Sequence, residues 1–337
     1  MTWMPILCPQ FRSKIAGIFV VGDSKQGKPP NLADPRFNEF AEAGDHALVT
    51  RLSDNSFEHT TLNMQGRAHP DVFDFVNDLS YGNQIKHMSH VHEGLDDVHL
   101  GLCDTLCHAY GQPLGTSEHK LRSFYIEIEG KRRTNPNTKS NVVLEESAYF
   151  FEFMYTPFYE QFGGRISELV KVYCTCKQSE AAWNIAKREK LASMNAIQDQ
   201  NGEPRLRPEH FPSIMSVNAT QGDECDIAIL STSIGSGHST DQGHCGQIVR
   251  CTVLFSRARL SQCVIANSGR GSKEEKLPIT KYWKYCVNNG SVLPVSQNRV
   301  DSLPAELVPP VRVPQHLRDA GEQLSLRGSG GHASWRR

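Results

Sequence analysis

Two short polar clusters hold the side chains best suited to handling an anionic ligand. One is Gln221-Gly-Asp-Glu224, within Ser216–Ser231; the other is Ser256-Arg-Ala-Arg259, within Thr252–Ala266. Each adjoins an apolar run, Asp226-Ile-Ala-Ile-Leu230 and Gln262-Cys-Val-Ile-Ala266, that reads as a buried parallel strand. The clusters therefore fall at strand ends, where open α/β sheets bind ligands. Arg257 and Arg259 are the most charged point of that layout, and a guanidinium presents a planar fork of donors to phosphate. Gly222 permits close backbone approach, although Gln-Gly-Asp-Glu would equally suit an ordinary polar turn.

Far upstream, Gly22-Asp-Ser-Lys-Gln-Gly-Lys-Pro29 follows the apolar Ile18–Val21 and has the spacing of a phosphate-cradling loop. Pro29 stands where the Mg²⁺-binding hydroxyl is needed, and Pro30 opposes the helix that should open there. Read instead as Gly-Asp-x-x-Gln, the segment leaves Gln26 to orient water or a γ-phosphate, as a glutamine does in other nucleotide hydrolases. His69-Pro70 reads as a helix start.

Two further groups could do chemistry. His87, His90 and His92, followed by Cys103, Cys107 and His108, offer zinc ligands at a spacing that fits no standard pattern, and no metal ligand is assigned. Lys131-Arg132-Arg133 lies just after a strand and could bind the phosphates of a single nucleic-acid strand. With a formal charge of −1 over 337 residues, any such contact must come from local basic groups and not from a global field. The 10 cysteines lack Cys-x-x-Cys pairs, and no convincing leader precedes them, which suits reduced thiols in the cytoplasm or nucleus. No apolar run is long enough to span a bilayer, so no membrane partner is expected.

The elements that must carry these groups alternate after about residue 120. Phe124–Ile128, Val170–Cys174, Ile214–Val217, Asp226–Leu230 and Gln262–Ala266 are the expected strands. Residues 145–153 and 180–197 are the expected helices. The second has Ser179 as N-cap, Gly202 beyond its end, and Trp183, Ala186, Leu191, Met194 and Ile197 toward the core. Alternation of this kind predicts an α/β fold, a mainly parallel sheet with helices on both faces. Ile15–Val21 is expected as a buried strand, 87–120 as an irregular connection, and 291–337 as a tail too polar to order itself.

Four motifs occur in a recognisable order: Val20-Val-Gly-Asp-Ser-Lys-Gln-Gly-Lys-Pro29; Leu62-Asn-Met-Gln-Gly-Arg-Ala-His-Pro70, with Phe75, Asn77 and Tyr81-Gly82 downstream; Gln221-Gly-Asp-Glu224; and Ser256-Arg-Ala-Arg259. In that order they resemble the G-D-x-x-Q-L-x-P, Q-Y-R-M-H-P, F-Q-G-x-E-x-D and A-L-T-R-A-R motifs in the C-terminal half of superfamily 1 helicases of the nonsense-mediated-decay type. The likeness runs from about Ile15 to about Tyr285.

It implies a RecA-like fold of the P-loop NTPase superfamily, with the end of a first lobe at 1–60 and a second lobe at 61–290. It also implies that Arg257 is an arginine finger on the γ-phosphate, joined by Arg67 and Gln26. Gly22 and Asp23 would line the nucleotide, and Gly222 and Glu224 its ribose side. Nothing before Gly22 supplies Walker A or Walker B motifs, so ATP and Mg²⁺ are expected only if a partner protein or an N-terminal segment supplies them. Single-stranded RNA or DNA is the expected partner, held weakly by this chain alone. The family's aromatic in Q-Y-R-M-H-P is Gly66 here, its T-P-Y is Cys174-Thr-Cys176, its Leu after the Gln is Gly27, and Ala68 replaces Met. These departures leave two alternatives open: a non-catalytic nucleic-acid-binding or protein-interaction module derived from a helicase, and a metal-stabilised structural protein.

Overall fold

The computed structural model describes residues 19–26, 47–92, 96–110, 122–135, 140–220, 222–235, 243–267 and 277–294. In chain order, α1 (Leu48–Asp54) precedes β1 (Met64–Gln65), α2 (Pro70–Tyr81) and β2 (Lys86–His87), which pairs in parallel with β1. Next come α3 (Asp96–Tyr110), β3 (Ser123–Glu127) and an antiparallel ribbon of β4 (Arg133–Thr134) and β5 (Asn141–Val142). Then α4 (Leu144–Tyr149) passes through a π-helical turn, Phe150–Met154, into α5 (Tyr155–Phe162). The remainder is α6 (Ile166–Leu169), β6 (Val170–Cys174), α7 (Lys177–Asn201), β7 (Ser213–Ser216), β8 (Cys225–Ser231), α8 (Ile248–Phe255), β9 (Ala258–Ala266), α9 (Pro278–Asn288) and β10 (Val292–Pro294).

The main sheet runs β10-β3-β9-β8-β6-β7 with every neighbouring pair parallel. Its register places Val172 between Ile214 and Ile229, and Val264 between Tyr125 and Leu230. Both faces are covered, which is why these strands read as nearly unbroken apolar runs. On one face, Ile227 and Ile229 of β8 meet Trp183 of α7 and the aromatic cluster Phe150, Phe151, Tyr155 and Phe158. On the other, Ala228 and Leu230 meet Val72, Phe75 and Val76 of α2, Leu254 and Phe255 of α8, and Tyr282 of α9. The alternation along one strand thus feeds two cores. Each large apolar side chain so buried contributes about 1.5–3 kcal/mol.

All five expected strands are present, and the structure corrects what lies between them. Residues 87–120 are not an irregular connection throughout, since α3 occupies 96–110. Its buried stripe is Val98, Leu102 and Leu106, one apolar residue every fourth position, which His, Asp and Gly around it conceal. Helix α7 begins after Cys176, so Ser179 is not its cap; it lies buried in the first turn, with its hydroxyl 3.0 Å from that of Ser231. Ile197 faces solvent at 55 % exposure, because the last turns of α7 run past the core. The helix expected at 145–153 continues to 162, and the π turn falls just before Pro157, which has no N–H to give to a regular ladder. Phe19 and Val21 are 96 % and 88 % exposed and form no strand, contrary to the buried strand expected over 15–21, whose residues 15–18 lie outside those described. Val292–Pro294, placed in the tail by composition, pairs with Tyr125–Glu127 at the sheet edge; the residues after it lie outside those described. No helix among the described residues is long and apolar enough to cross a membrane.

Candidate functional site

The turn before α2 is built by one side chain. Gln65 Oε1 accepts the N–H groups of Arg67 and Ala68, both at 2.9 Å, while its Nε2 donates to the Ala68 carbonyl at 2.7 Å. The turn is stitched to the segment between α8 and β9. The His69 N–H donates to the Arg259 carbonyl at 2.7 Å, and the Arg67 guanidinium donates to the Ser256 carbonyl. Pro70 opens α2 behind His69, whose Nδ1 accepts from the Asp71 N–H at 3.3 Å, so the helix start expected at His69-Pro70 is present. Gly66 is exposed, but a Cβ there would stand 2.8 Å from Met88 Sδ and 3.0 Å from His90 Cε1, so a side chain would have to displace those two exposed groups.

The second part is the loop entering β8. Gly222 has φ +85°, a left-handed conformation that favours glycine, and is exposed. Beside it the Asp223 carboxylate accepts from Lys171 Nζ at 2.7 Å and from the Tyr173 hydroxyl at 3.0 Å. Burial alone would raise the Asp223 pKa, but these two donors and the Lys171 charge prevail and hold it below the usual carboxylate value. Arg257 is only 2 % exposed, with Nε on the Val253 carbonyl and Nη1 on the Asp223 carbonyl, both at 2.8 Å. Burial, and then the neighbouring Arg67 charge, lower its pKa from the ordinary arginine value. The guanidinium expected as a presented finger is therefore, in this conformation, a strut between the end of α8 and the Gly222–Glu224 loop.

The solvent side of that strut carries the open charges. Arg67 Nε lies 3.8 Å from one oxygen of Glu224, and Arg259 Nη1 lies 4.0 Å from the other. Arg259 Nε also faces Asp226 at 3.4 Å, and burial raises the Asp226 pKa although Arg259 opposes it. The side chains of Arg67, Glu224 and Arg259 are 35 %, 44 % and 39 % exposed, which makes them the accessible part of the cluster. The whole cluster sits at the amino-terminal ends of β6, β8 and β9. This corrects the expectation drawn from open sheets in general, whose ligands lie at carboxyl ends.

Of the expected site residues, the structure joins Arg67, Gly222, Glu224 and Arg257 directly or through one neighbour. Gln26 and Asp23 are attached at one remove. Gln26 Nε2 donates to the Tyr81 hydroxyl at 3.3 Å, and that hydroxyl donates to Asp23 Oδ2 at 2.5 Å. The Arg67 charge acts on Tyr81, whose pKa burial and the Asp23 contact raise. Gly22 packs near Val49, and Gln221 and Lys28–Pro30 lie outside the described residues.

Lys131, Arg132 and Arg133 do not belong to this cluster. They follow β3 at the opposite edge, where the Arg132 backbone lies against Gly235; Lys131 is exposed, but Arg132 and Arg133 are half-buried, so the run is not a freely solvated patch. His87 is engaged at both ring nitrogens, by Gln65 at 2.5 Å and Asp74 at 3.1 Å, and no group of three His, Cys, Asp or Glu among the described residues could hold a metal.

Sequence reasoning missed Asp223, Tyr173, Lys171 and Gln65. The signal for Lys171 was present, a charge inside the apolar run Val170-Lys-Val-Tyr-Cys174. It also missed a second buried polar centre at the carboxyl edge. There the Glu146 carboxyl accepts from the Ser231 hydroxyl, from the Ser233 N–H at 2.9 Å and from the Thr232 hydroxyl at 3.4 Å, while Trp183 Nε1 donates to Ser231 Oγ at 2.9 Å. No curated protein matches the chain. Residues 45–269, about two thirds of the chain, match the AAA domain family AAA_12, and the chain belongs to that family, an AAA domain found in superfamily 1 helicases.

Proposed function

We propose that this chain is the second, nucleotide-sensing lobe of an ATP-dependent helicase acting on single-stranded RNA or DNA, of the nonsense-mediated-decay type. The observation that carries the reading is the convergence of Arg67, Arg257 and Arg259 on one sheet edge, drawn from segments almost two hundred residues apart. Arginine forks at such a site can stabilise charge developing on a transferring phosphoryl group. The donors fit the phosphate end of ATP. Gly66 carries no ring of its own, and the nearest side chains are Met88 and His90, whose imidazole lies 2.9 Å from the Gly66 carbonyl. Walker-type ligands for Mg²⁺ and the β-phosphate would come from a first lobe, in another segment or a partner protein. ATP turnover would require both lobes to close.

Two measurements test this. Inorganic tripolyphosphate, titrated calorimetrically into the full chain at low salt, binds, and Arg67→Ala weakens it. An Arg67→Ala variant with unchanged affinity overturns the phosphate assignment. Phosphate release from ATP by the chain alone stays at background with or without single strands. Stimulated release that Arg257→Ala abolishes would show a complete active site and overturn the two-lobe requirement.

Burial of Arg257 and the lost side chain at 66 favour one second reading, a non-catalytic interaction module that keeps the fold. It predicts strand binding that Arg67→Ala leaves untouched together with no tripolyphosphate binding.

A further inference from the structure

Glu224 stands between two arginines, ion-paired with both but hydrogen-bonded to neither. Its oxygens lie 3.8 Å and 4.0 Å from Arg67 and Arg259, beyond hydrogen-bond reach, so charge alone holds the side chain there. Its backbone is fixed, since Lys171 Nζ donates to the Glu224 carbonyl at 2.9 Å. The arginines are fixed as well, Arg67 on the Ser256 carbonyl and Arg259 against Asp226. What remains free is the Glu224 carboxylate, 44 % exposed.

The charges around it are unevenly matched. Lys171 and Asp223 pair with each other, and Asp226 faces Arg259. Arg257 has backbone carbonyls as its hydrogen-bond acceptors, and the carboxylate nearest Arg67 is Glu224. One carboxylate therefore serves more positive charge than it can neutralise. A carboxylate and a phosphate meet a guanidinium in the same two-oxygen geometry.

We infer that Glu224 occupies, as an internal carboxylate, the seat of a phosphate anion between Arg67 and Arg259, and competes with that anion until its side chain swings out. The inference rests on the placement of a triphosphate in the proposed function, and it reverses the role expected of Glu224 there. A carboxylate that accepts ribose hydroxyls adds to ligand binding, whereas a competitor subtracts from it. A side-chain rotation suffices, because Lys171 of β6 already holds the Glu224 carbonyl and the neighbouring Asp223 carboxylate.

The test uses inorganic tripolyphosphate and the full chain in low-salt calorimetry. Glu224→Gln is compared with Glu203→Gln, which makes the same change in net charge at an exposed residue beyond α7. Glu224→Gln tightens binding by about fivefold, the size expected for removing one like charge near contact distance at a solvated site, and the gain shrinks as salt rises. Glu203→Gln leaves affinity unchanged. Glu224→Ala gives the same tightening should the glutamine find a new hydrogen bond. If both Glu224 variants bind as the wild type does, or more weakly, while Arg67→Ala still weakens binding, the competitor role is overturned and the phosphate site stands. If Arg67→Ala has no effect either, the site itself is wrong.

Discussion

Arg257 shows how much a single side chain is asked to do at this edge. Its guanidinium bonds carbonyls on α8 and on the loop into β8, and its burial is nearly complete. Arg257→Ala should therefore destabilise the fold before any question of activity arises, by about 1–3 kcal/mol, since two carbonyls lose a charged donor. Urea denaturation of the two proteins checks this, and an unchanged midpoint would mean that the strut carries no load.

Glu146 makes the opposite kind of statement. Burial raises its pKa from 4.5 to about 8, although hydrogen bonds from Ser231, Ser233 and Thr232 pull it back. A raised folded-state value means that folding favours the protonated acid. Its contribution is fully present below pH 4.5, falls as pH rises, and is lost on passing pH 8. The wild-type urea midpoint should drop between pH 5 and pH 8, and Glu146→Gln, which cannot ionise, should flatten that slope. Neither residue's burial was legible beforehand. Arg257 was singled out for its charge and its neighbours in sequence, and charge predicts exposure until tertiary contacts say otherwise.

At the scale of elements, the strands announced themselves and the helices did so unevenly. Asp226–Leu230 and Gln262–Ala266 read correctly because a strand buried on both faces needs apolar residues at almost every position, whereas the start of β9 at Ala258–Ser261, with Arg259 and Ser261 in it, did not. Helix α3 needs only Val98, Leu102 and Leu106, a stripe too thin to stand out among polar neighbours. Motif order brought Arg67 and Ser256-Arg-Ala-Arg259 to attention together, yet the edge of the sheet they occupy depends on crossovers that no local pattern encodes. The loop into β8 depends on a glycine for its shape. Gly222→Ala places a Cβ at φ +85° and should cost about 1 kcal/mol, and it should lower tripolyphosphate affinity by disturbing Asp223 and Glu224 next to it. The glycine has open space around it, so steric overlap cannot be the cause. A Gly222→Ala variant with wild-type stability and binding would refute the need for a left-handed residue.

For the molecule as a whole, a formal charge of −1 leaves no general attraction for nucleic acid. Binding to single strands should be weak, tolerant of sequence and strongly dependent on salt, with each lost phosphate contact lowering the log–log slope by about 0.7. Titrating labelled RNA and DNA strands at two salt concentrations measures it. Affinity that survives high salt would reveal a base-stacking surface, which neither the arginine cluster nor Lys131–Arg133 supplies.

Strand β8 joins the two polar centres end to end. Glu224 immediately precedes its first residue, and Ser231, gripped by Glu146 and Trp183, is its last. Beyond an irregularity at Asp226, its last five residues, Ile227–Ser231, span about 16 Å between partners on both sides. Such a strand transmits force like a tie-rod, because sliding it would break hydrogen bonds to β6 and β9 together. Whatever draws on the Glu224 end therefore has its reaction taken up at Ser231, and the buried acid there acts as the rod's far anchor.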